Sequence, residues 1–451
     1  MTKQDLLSRF LQRIKLLCEP QNLDKSTFHI ALSGGVDSIV LLHLFSRLRV
    51  QYANMVINAH HVNHGLSPHA KDWSAFCQSV CRDLDINFNV SSVDLLKKNR
   101  ISLEALAREK RYACLTAELH NNDYLVTAHH QDDQLETVLL ALKRGAGNTG
   151  LQGILSKQSI NTGYLIRPLL DFPRIQLEAY AQLFNLKWIE DESNEDQRFD
   201  RNFIRHSISP LLKARWPAIT KTVSRSASLC QEQQALLVEI AVQDFSQCAE
   251  LKLNQQRIDI DKLKAFSAAR RNNVLRYWFK QNNLNYPSAK QLNAIWFETA
   301  LASDNASPDI PFKGVTLRRY RKHLYFVKDI IDIDCEPIYW HGEKTVNLLD
   351  GRLTLKFECS NNEIDLLSFA QDKEVKICFR QHLPSKLKCR PIGRTGSRSV
   401  KKLLHEYNVP PWLRETVPFL LIDEQVVEAV GLWRCMTSPI ERTDYLTVSF
   451  A

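Results

Sequence analysis

The sequence predicts an α/β chain. An open, mostly parallel sheet with helices on both faces comes first, followed by a helical domain and a small C-terminal α+β domain. Three observations predict this. Strand-like and helix-like runs alternate through the first half. A polar, charged stretch at Asp191–Arg205 then ends the alternation, and a long helical region follows. From about Glu336 the pattern becomes strand-like again.

The expected strands of the first half are Phe28–Leu32, Met55–Asn58, Asn87–Val90, Tyr124–Ala128 and Tyr164–Ile166. Helical patterns lie between them at Ser38–Leu48, Ala70–Leu84, Ser102–His120 and Asp132–Lys143. Pro210–Gln247 and Ile258–Trp296 read as helical, with Tyr277, Trp278 and Phe279 as core, and Val315–Val327 as a short β piece. Val346–Leu349, Leu353–Phe357, Phe419–Ile422 and Val426–Leu432 read as strands, the last two joined by a hairpin-like Asp423-Glu424-Gln425. The expected domains are residues 1–215, 216–335 and 336–451.

Composition narrows the function classes. The 451 residues are 44% hydrophobic and 24% charged, ordinary for a globular protein. No apolar run approaches the roughly 18 residues of a membrane span. Met1–Cys18 interleaves charges with leucines, as an amphipathic helix does and a signal peptide does not. Eleven scattered cysteines without a Cys-x-x-Cys pair suit a reducing compartment and buried apolar roles. The net charge is +9, and Asp372–Arg414 alone carries eleven Lys/Arg against three Asp/Glu. Such a segment marks either a polyanion partner or a solvated basic face.

Ser33-Gly34-Gly35-Val36-Asp37-Ser38 connects a strand to a helix start. Its glycines let the backbone turn and approach a ligand closely, and the helix N-terminus presents free N–H groups to an anion. Ser33 and Ser38 add hydroxyls. Asp37, anionic beside an expected phosphate, suits a bound Mg²⁺. The Gly-Lys-Ser/Thr ending of a Walker A loop is absent. The hexapeptide instead resembles the PP-loop of N-type ATP pyrophosphatases, which split ATP between its α and β phosphates.

Three further runs carry chemistry. His129-His130-Gln131-Asp132-Asp133-Gln134-Leu135-Glu136-Thr137 directly follows a strand, and its three acids converge by helical spacing. Capping explains one Asp, while three acids and two histidines suit Mg²⁺ or the ammonium group of a substrate. His60-His61-Val62-Asn63-His64-Gly65-Leu66 lacks the spacing of a zinc site and reads as a polar loop lining the crevice. Glu104, Arg108 and Arg111 share a helix face behind a Ser102 N-cap, either as a salt-bridge face or as grips for phosphate. Arg201-Asn202-Phe203-Ile204-Arg205, at the domain break, either touches phosphates or caps a helix.

These runs, in this order, resemble the tRNA(Ile)-lysidine synthase family. The likeness extends through Arg144-Gly145-Ala146-Gly147, Arg167-Pro168-Leu169-Leu170 and Asp191 with Ser193-Asn194. It resumes at Lys401-Lys402-Leu403, Val409-Pro410-Pro411-Trp412-Leu413-Arg414 and Ala429-Val430-Gly431, and is loose in the middle. The resemblance implies an ATP-dependent ligase that adenylates C2 of cytidine 34 in the CAU anticodon of tRNA(Ile). L-lysine then attacks to form lysidine, with AMP and pyrophosphate released. It implies ATP, Mg²⁺ and L-lysine as cofactor and co-substrates, tRNA(Ile) as partner, no obligate protein partner, no membrane and a bacterial-type cytoplasmic location.

It further implies Asp37, Asp132, Asp133, Glu136 and Arg108 as catalytic candidates, with Asp37 and Asp133 as metal candidates. ATP would be held by Ser33, Gly34, Gly35, Val36, Asp37, Ser38, His61, His64, Arg111 and His129. tRNA would meet Arg201, Arg205, Lys386, Lys388, Arg390, Arg394, Arg398, Lys401, Lys402 and Arg414, and Tyr407 and Trp412 either stack on bases or pack. Three other readings stay open. A tRNA thiolase usually carries Cys-x-x-Cys pairs. An amidotransferase leaves the basic segment unexplained. A non-catalytic tRNA-binding protein would show no ATP–pyrophosphate exchange.

Overall fold

The structure is a computed structural model describing residues 3–63, 65, 69–93, 103–160, 162–303, 306, 308–328, 336–349, 351, 353–359, 374–436 and 446–450. It divides into two compact units, Met1–Leu236 and Leu237–Ala451.

The first unit is built on strands β1 (Thr27–Ala31), β2 (Val56–Asn63), β3 (Asn87–Ser92), β4 (Tyr124–Val126), β5 (Lys157–Ile160) and β6 (Gly163–Ile166). They lie in the order β3-β2-β1-β4-β6-β5. All pairs are parallel except β5–β6, where β5 forms an antiparallel edge. The polar Lys157-Gln158-Ser159-Ile160 has no apolar alternation, so its strand is set by pairing with Gly163–Ile166.

Helices α1 (Lys3–Leu17), α2 (Val36–Arg49), α3 (Ala70–Asp83), α4 (Leu103–Ala117), α5 (Gln131–Lys143), α6 (Asn148–Leu151) and α7 (Arg174–Leu183) connect and cover the sheet. Phe10 and Ile14 of α1, Leu41 and Phe45 of α2, and Leu177 of α7 share one core with Phe28 and Ile30. Cys77 and Cys81, four apart on α3, are buried in that core, as expected of apolar thiols. Leu115 of α4 joins Leu119, Leu125 and Leu165 in a separate cluster. Buried strand residues Leu125 and Val126 follow one another without alternation, as a sheet covered on both sides requires.

The chain runs from β1 outward to β2 and β3, then returns to place β4 on the other side of β1. That reversal opens a crevice beyond the carboxyl ends of β1 and β4. The Ser33–Ser38 loop leaves β1 and the His129–Glu136 run leaves β4, so topology brings them together. The His60–Gly65 run does not behave as expected. β2 continues to Asn63, so His60 and His61 are strand residues, not loop residues. His64 and the proposed Ser102 cap lie outside the described residues.

Beyond the sheet, the Asp191–Arg205 break contains helix α8 (Asp200–Phe203), followed by a π-helical turn at Ile204–Ile208, α9 (Ser209–Arg215) and the long α10 (Ile219–Cys248). Trp216-Pro217 separates α9 from α10 where one helical region was expected.

The second unit begins with helices over a sheet that the expected Val315–Val327 piece only hinted at. Strands β7 (Ala249–Lys252), β8 (Gln255–Asp259), β9 (Asp309–Phe312), β10 (Val315–Tyr320) and β11 (His323–Lys328) form it in the order β7-β8-β11-β10-β9. Val315–Val327 is a hairpin that turns at Arg321, whose φ is 52°. Trp278 and Phe279, expected as core, pack on Phe326 with ring centroids 4.0 and 4.9 Å away.

The C-terminal part pairs Ile338–Trp340, Val375–Cys378, Phe419–Ile422, Gln425–Ala429 and Trp433–Arg434 in one antiparallel sheet. Phe419–Ile422 and Gln425–Ala429 form the expected hairpin around Asp423 and Glu424, both at positive φ.

Phe28 is fully buried against Phe45 and Tyr124, at centroid distances of 4.9 and 5.3 Å. Phe28→Ala is expected to destabilise the first unit by about 3–5 kcal/mol. The midpoint of its urea-induced unfolding transition checks this.

Candidate active site

The loop after β1 is organised by Ser38, which is buried. Its hydroxyl accepts the Gly34 N–H at 3.1 Å and lies 2.9 Å from the Gly35 carbonyl and 3.1 Å from the Ser33 hydroxyl. Gly34 has φ +92°, and a Cβ there would sit 2.9 Å from Ile189 Cδ1 and 3.3 Å from Cys77 Sγ. The conformation demands glycine, and a side chain there would also have to displace the tip of Ile189. α2 starts at Val36, so the N–H groups of Val36 and Asp37 have no helical acceptor, while that of Ser38 donates to the Gly35 carbonyl at 3.1 Å. Asp37 sits in that first turn. Its Oδ2 lies 3.5 Å from His130 Nε2, and its Oδ1 is buried without a hydrogen-bond partner.

The loop after β4 begins with His129 and His130. His130 caps α5 reciprocally: its Nδ1 accepts the Asp133 N–H at 3.4 Å, and Asp133 Oδ2 accepts the His130 N–H at 2.9 Å. With Nδ1 accepting, Nε2 carries the proton that faces Asp37. Burial opposes charge on this ring, but Asp133, Asp37 and Asp132 outweigh it and raise its pKa. His129 behaves oppositely. Burial, reinforced by Arg167, Arg201 and Arg108 against the pull of Asp133, pushes it down to about 3 and keeps it neutral. Its Nδ1 meets the Thr127 hydroxyl at 2.9 Å.

The three acids of α5 are buried and engaged. Asp132 Oδ2 accepts the Arg174 N–H at 2.9 Å, serving α7, whose own N-cap is Pro173, and its Oδ1 takes Lys213 Nζ of α9. Asp133 Oδ1 accepts Arg201 Nη2 at 2.8 Å and Arg205 Nη2 at 3.1 Å. Glu136 Oε2 accepts Arg201 Nε at 2.7 Å and Arg205 Nη2 at 2.9 Å, and Oε1 accepts Arg205 Nε at 2.6 Å. Asp133 is held well below the usual carboxylate range: burial raises it, but His130 and Arg201 outweigh burial. Both guanidinium groups are raised in turn, Asp133 and Glu136 overcoming desolvation.

These contacts change several expectations. Arg201 and Arg205, expected on tRNA, point into Asp133 and Glu136. Asp133, a metal candidate, already has Oδ1 shared by two guanidinium groups and Oδ2 on a backbone N–H, so Asp37 Oδ1 is the better cation ligand. His61, expected at ATP, is buried with Nδ1 2.9 Å from the Leu32 carbonyl. Arg108 lies over the Tyr112 ring at 5.2 Å and, like Arg111, is exposed on α4. Among the described residues, Glu250, Asp259 and His323 of the second unit form one group of metal-ligand type, with Glu250 ion-paired to Arg257 and Lys262. Sequence reasoning missed Lys213 and Arg174 altogether. Both lie outside the motifs, and only the fold brings them to Asp132.

In the basic segment, Lys386, Lys388, Arg390, Arg398, Lys401 and Lys402 are exposed. Arg394 pairs with Glu406, and Arg414 donates to the Val409 carbonyl at 3.1 Å. Tyr407 packs on Trp433 at 4.9 Å, and Trp412 meets Tyr325 edge-on at 5.5 Å, so both pack.

Residues 6–212 match the family described as a PP-loop domain. Residues 258–325 match the TilS substrate binding domain, and 375–444 the TilS substrate C-terminal domain. The chain is 39% identical over 404 residues to the tRNA(Ile)-lysidine synthase of Serratia proteamaculans, covering 90% of each chain. It is 38% identical to that of Vibrio parahaemolyticus, covering 90% of this chain and 91% of the relative. The chain belongs to the tRNA(Ile)-lysidine synthase family. Among solved structures it is similar to the U34-tRNA thiolase NcsA from Methanococcus maripaludis with its [4Fe-4S] cluster. That likeness has 18% identity and a TM-score of 0.43 over 50% of this chain and 80% of that one. Family membership makes the chain an ATP-dependent ligase with a PP-loop catalytic domain, a helix-rich middle region and a mixed α+β C-terminal domain. No helix among the described residues is long and apolar enough to cross a membrane.

A histidine held neutral by the fold binds fewer protons folded than unfolded as pH falls below 6.5, so stability falls with pH in that window. His129, His60 and His61 are all lowered, chiefly by burial. His129→Gln is expected to lessen the loss of stability between pH 7.5 and 5.5, read from urea midpoints at the two pH values.

Proposed function

We propose that this chain is a tRNA(Ile)-lysidine synthase acting on cytidine 34 of the tRNA(Ile) with a CAU anticodon. The observation that carries this reading is the meeting, at the switch point of the sheet, of a phosphate-type loop and a buried acid–arginine cluster. It stands beside likeness to family relatives over nine-tenths of the chain.

In the first step the C2 oxygen of cytidine attacks the α-phosphorus of ATP, a new P–O bond forms, and pyrophosphate leaves. The Ser33–Ser38 loop receives phosphate oxygens on the first-turn N–H groups of α2 and the Ser33 hydroxyl. Asp37 is the residue we assign to Mg²⁺, because its buried Oδ1 lacks a partner. When bound, the ion would neutralise phosphate charge. In the second step the neutral ε-amine of L-lysine attacks C2, the C2–O bond breaks, AMP leaves, and the amine gives up a proton.

His130, between Asp37 and Asp133, ties the phosphate loop to the acid helix. Asp132, Asp133 and Glu136, balanced by Lys213, Arg201 and Arg205, line the crevice, where the lysine ammonium groups would compete with those cations for the carboxylates. The chemistry requires no thiol, and burial pushes Cys77 and Cys81 up to about 12, away from thiolate.

The exposed Lys386, Lys388, Arg390, Arg398, Lys401 and Lys402 are assigned to tRNA phosphates, where contacts position the RNA without reading its sequence. We propose three parts, divided at residues 215 and 335, with RNA affinity in the last part. The reaction belongs where tRNA, ATP and lysine meet, in the bacterial cytoplasm.

The test is ATP-dependent transfer of labelled L-lysine to unmodified tRNA(Ile) bearing CAU. Label is expected on that tRNA and not on methionine tRNA. Asp37→Ala should lower turnover by at least about 100-fold, the scale of a lost charge-stabilising group. No label from wild type despite tRNA binding would refute the reading. The Lys401→Ala/Lys402→Ala variant should raise KM for tRNA and reduce its salt dependence by up to about two log units per log unit of salt, leaving KM for ATP unchanged.

A further inference from the structure

One buried cation of the first unit has no anion among the described residues. Arg167 leaves the end of β6 and is only 5% exposed. Its Nη1 donates to the Leu155 carbonyl at 2.6 Å, and Tyr112 of α4 supplies a further side-chain hydrogen bond. Both partners are neutral. No carboxylate among the described residues pairs with Arg167, and its buried Nε has no partner. The contrast with its neighbourhood is sharp: Arg201 and Arg205 sit on Asp133 and Glu136, and Lys213 sits on Asp132. A buried guanidinium without a counter-charge is costly to keep, and removing an anion from beside it is costlier still.

Arg167 bears electrostatically on Arg108 and on His129, so it belongs to the crevice beyond β4. The groups that bear on Arg167 are Arg108, Tyr112 and the neutral His129; Asp133 also reaches His129, but it is itself taken by Arg201 and Arg205.

We propose that Arg167 is an oxyanion subsite that takes the α-carboxylate of the lysine co-substrate. This rests on the lysidine-synthase reading and deepens it. A guanidinium fork matches a carboxylate in two parallel hydrogen bonds. Strand order favours the carboxylate over a phosphate of ATP. The phosphate loop leaves β1, the acids leave β4, and Arg167 leaves β6, so the loop and Arg167 are two strand spacings, roughly 10 Å, apart. A zwitterion laid across these sites would set its carboxylate against Arg167 and its ammonium groups against the ion-paired acids of α5, in competition with Arg201, Arg205 and Lys213. Diamines and lysine amides, which lack the carboxylate, are thereby disfavoured.

The experiment compares L-lysine with L-lysinamide as the amine in ATP-dependent modification of unmodified tRNA(Ile), for wild type and Arg167→Gln. Wild type is expected to prefer lysine by about 100-fold in kcat/KM, the scale of one buried polar group left unsatisfied. Arg167→Gln should lose most of that preference through a raised KM for lysine, leaving lysinamide use within about twofold and KM for ATP unchanged. Equal losses on both amines, or a raised KM for ATP, would overturn the assignment, the latter in favour of phosphate. Should Arg167→Gln fail to fold, wild type decides alone: equal use of lysine and lysinamide overturns the subsite. Failure of wild type to use lysine at all refutes the underlying reading instead.

Discussion

Two buried carboxylates, Asp133 and Glu136, shared by two guanidinium groups, Arg201 and Arg205, are the constraint on which the site depends. Breaking such a pair by removing one partner leaves an uncompensated buried charge, at about 3–5 kcal/mol. Four charged groups in mutual contact therefore hold the Asp200–Ile208 segment against α5. The π-helical turn at Ile204–Ile208 lies within that segment and carries Arg205. Such turns recur at functional sites because the widened backbone re-aims side chains that a regular helix would direct elsewhere. The polar break read in the sequence as a domain boundary is thus a wall of the crevice.

The rest of the site inherits its geometry from this clamp and from the sheet. His130 caps α5 and reaches Asp37, so the orientation of the acid helix is linked to the phosphate loop through one buried ring. Asp132 does a similar job on its other side, joining the starts of α5 and α7 and drawing Lys213 inward. Arg201, Arg205 and Lys213 come from beyond the sheet, so a site that began as two loop ends is completed by a later part of the chain. The carboxylates are consequently pre-organised: their charge is balanced before any substrate arrives, and an incoming ammonium group would compete with guanidinium groups already in place.

Much of the fold was legible because its signals are local. Strand β1, the Gly34 turn and α2 follow from an apolar run, a residue that alone tolerates φ +92° beside Ile189, and a mostly apolar helical continuation. The acid run after β4 was legible for the same reason. What escaped depends on partners distant in sequence. β5 is polar and exists through pairing. The histidines at 60 and 61 looked like loop because their polarity hid a strand that continues beneath them. The pairing of Arg201 and Arg205 with α5 spans more than 60 residues of sequence, so their spacing gave no hint of it. Arg167 stood in a recognised motif, yet its lack of a counter-ion is a property of the folded neighbourhood alone.

The most direct test of the clamp is a double-mutant cycle between Glu136→Gln and Arg205→Gln, read in kcat/KM for lysine transfer with folding checked by circular dichroism. If the four groups act as one unit, each single variant should lose most of the activity and the double variant should be no worse than the poorer single, a coupling of at least about 1.5 kcal/mol. Additive losses would contradict the account and separate the two residues into independent roles.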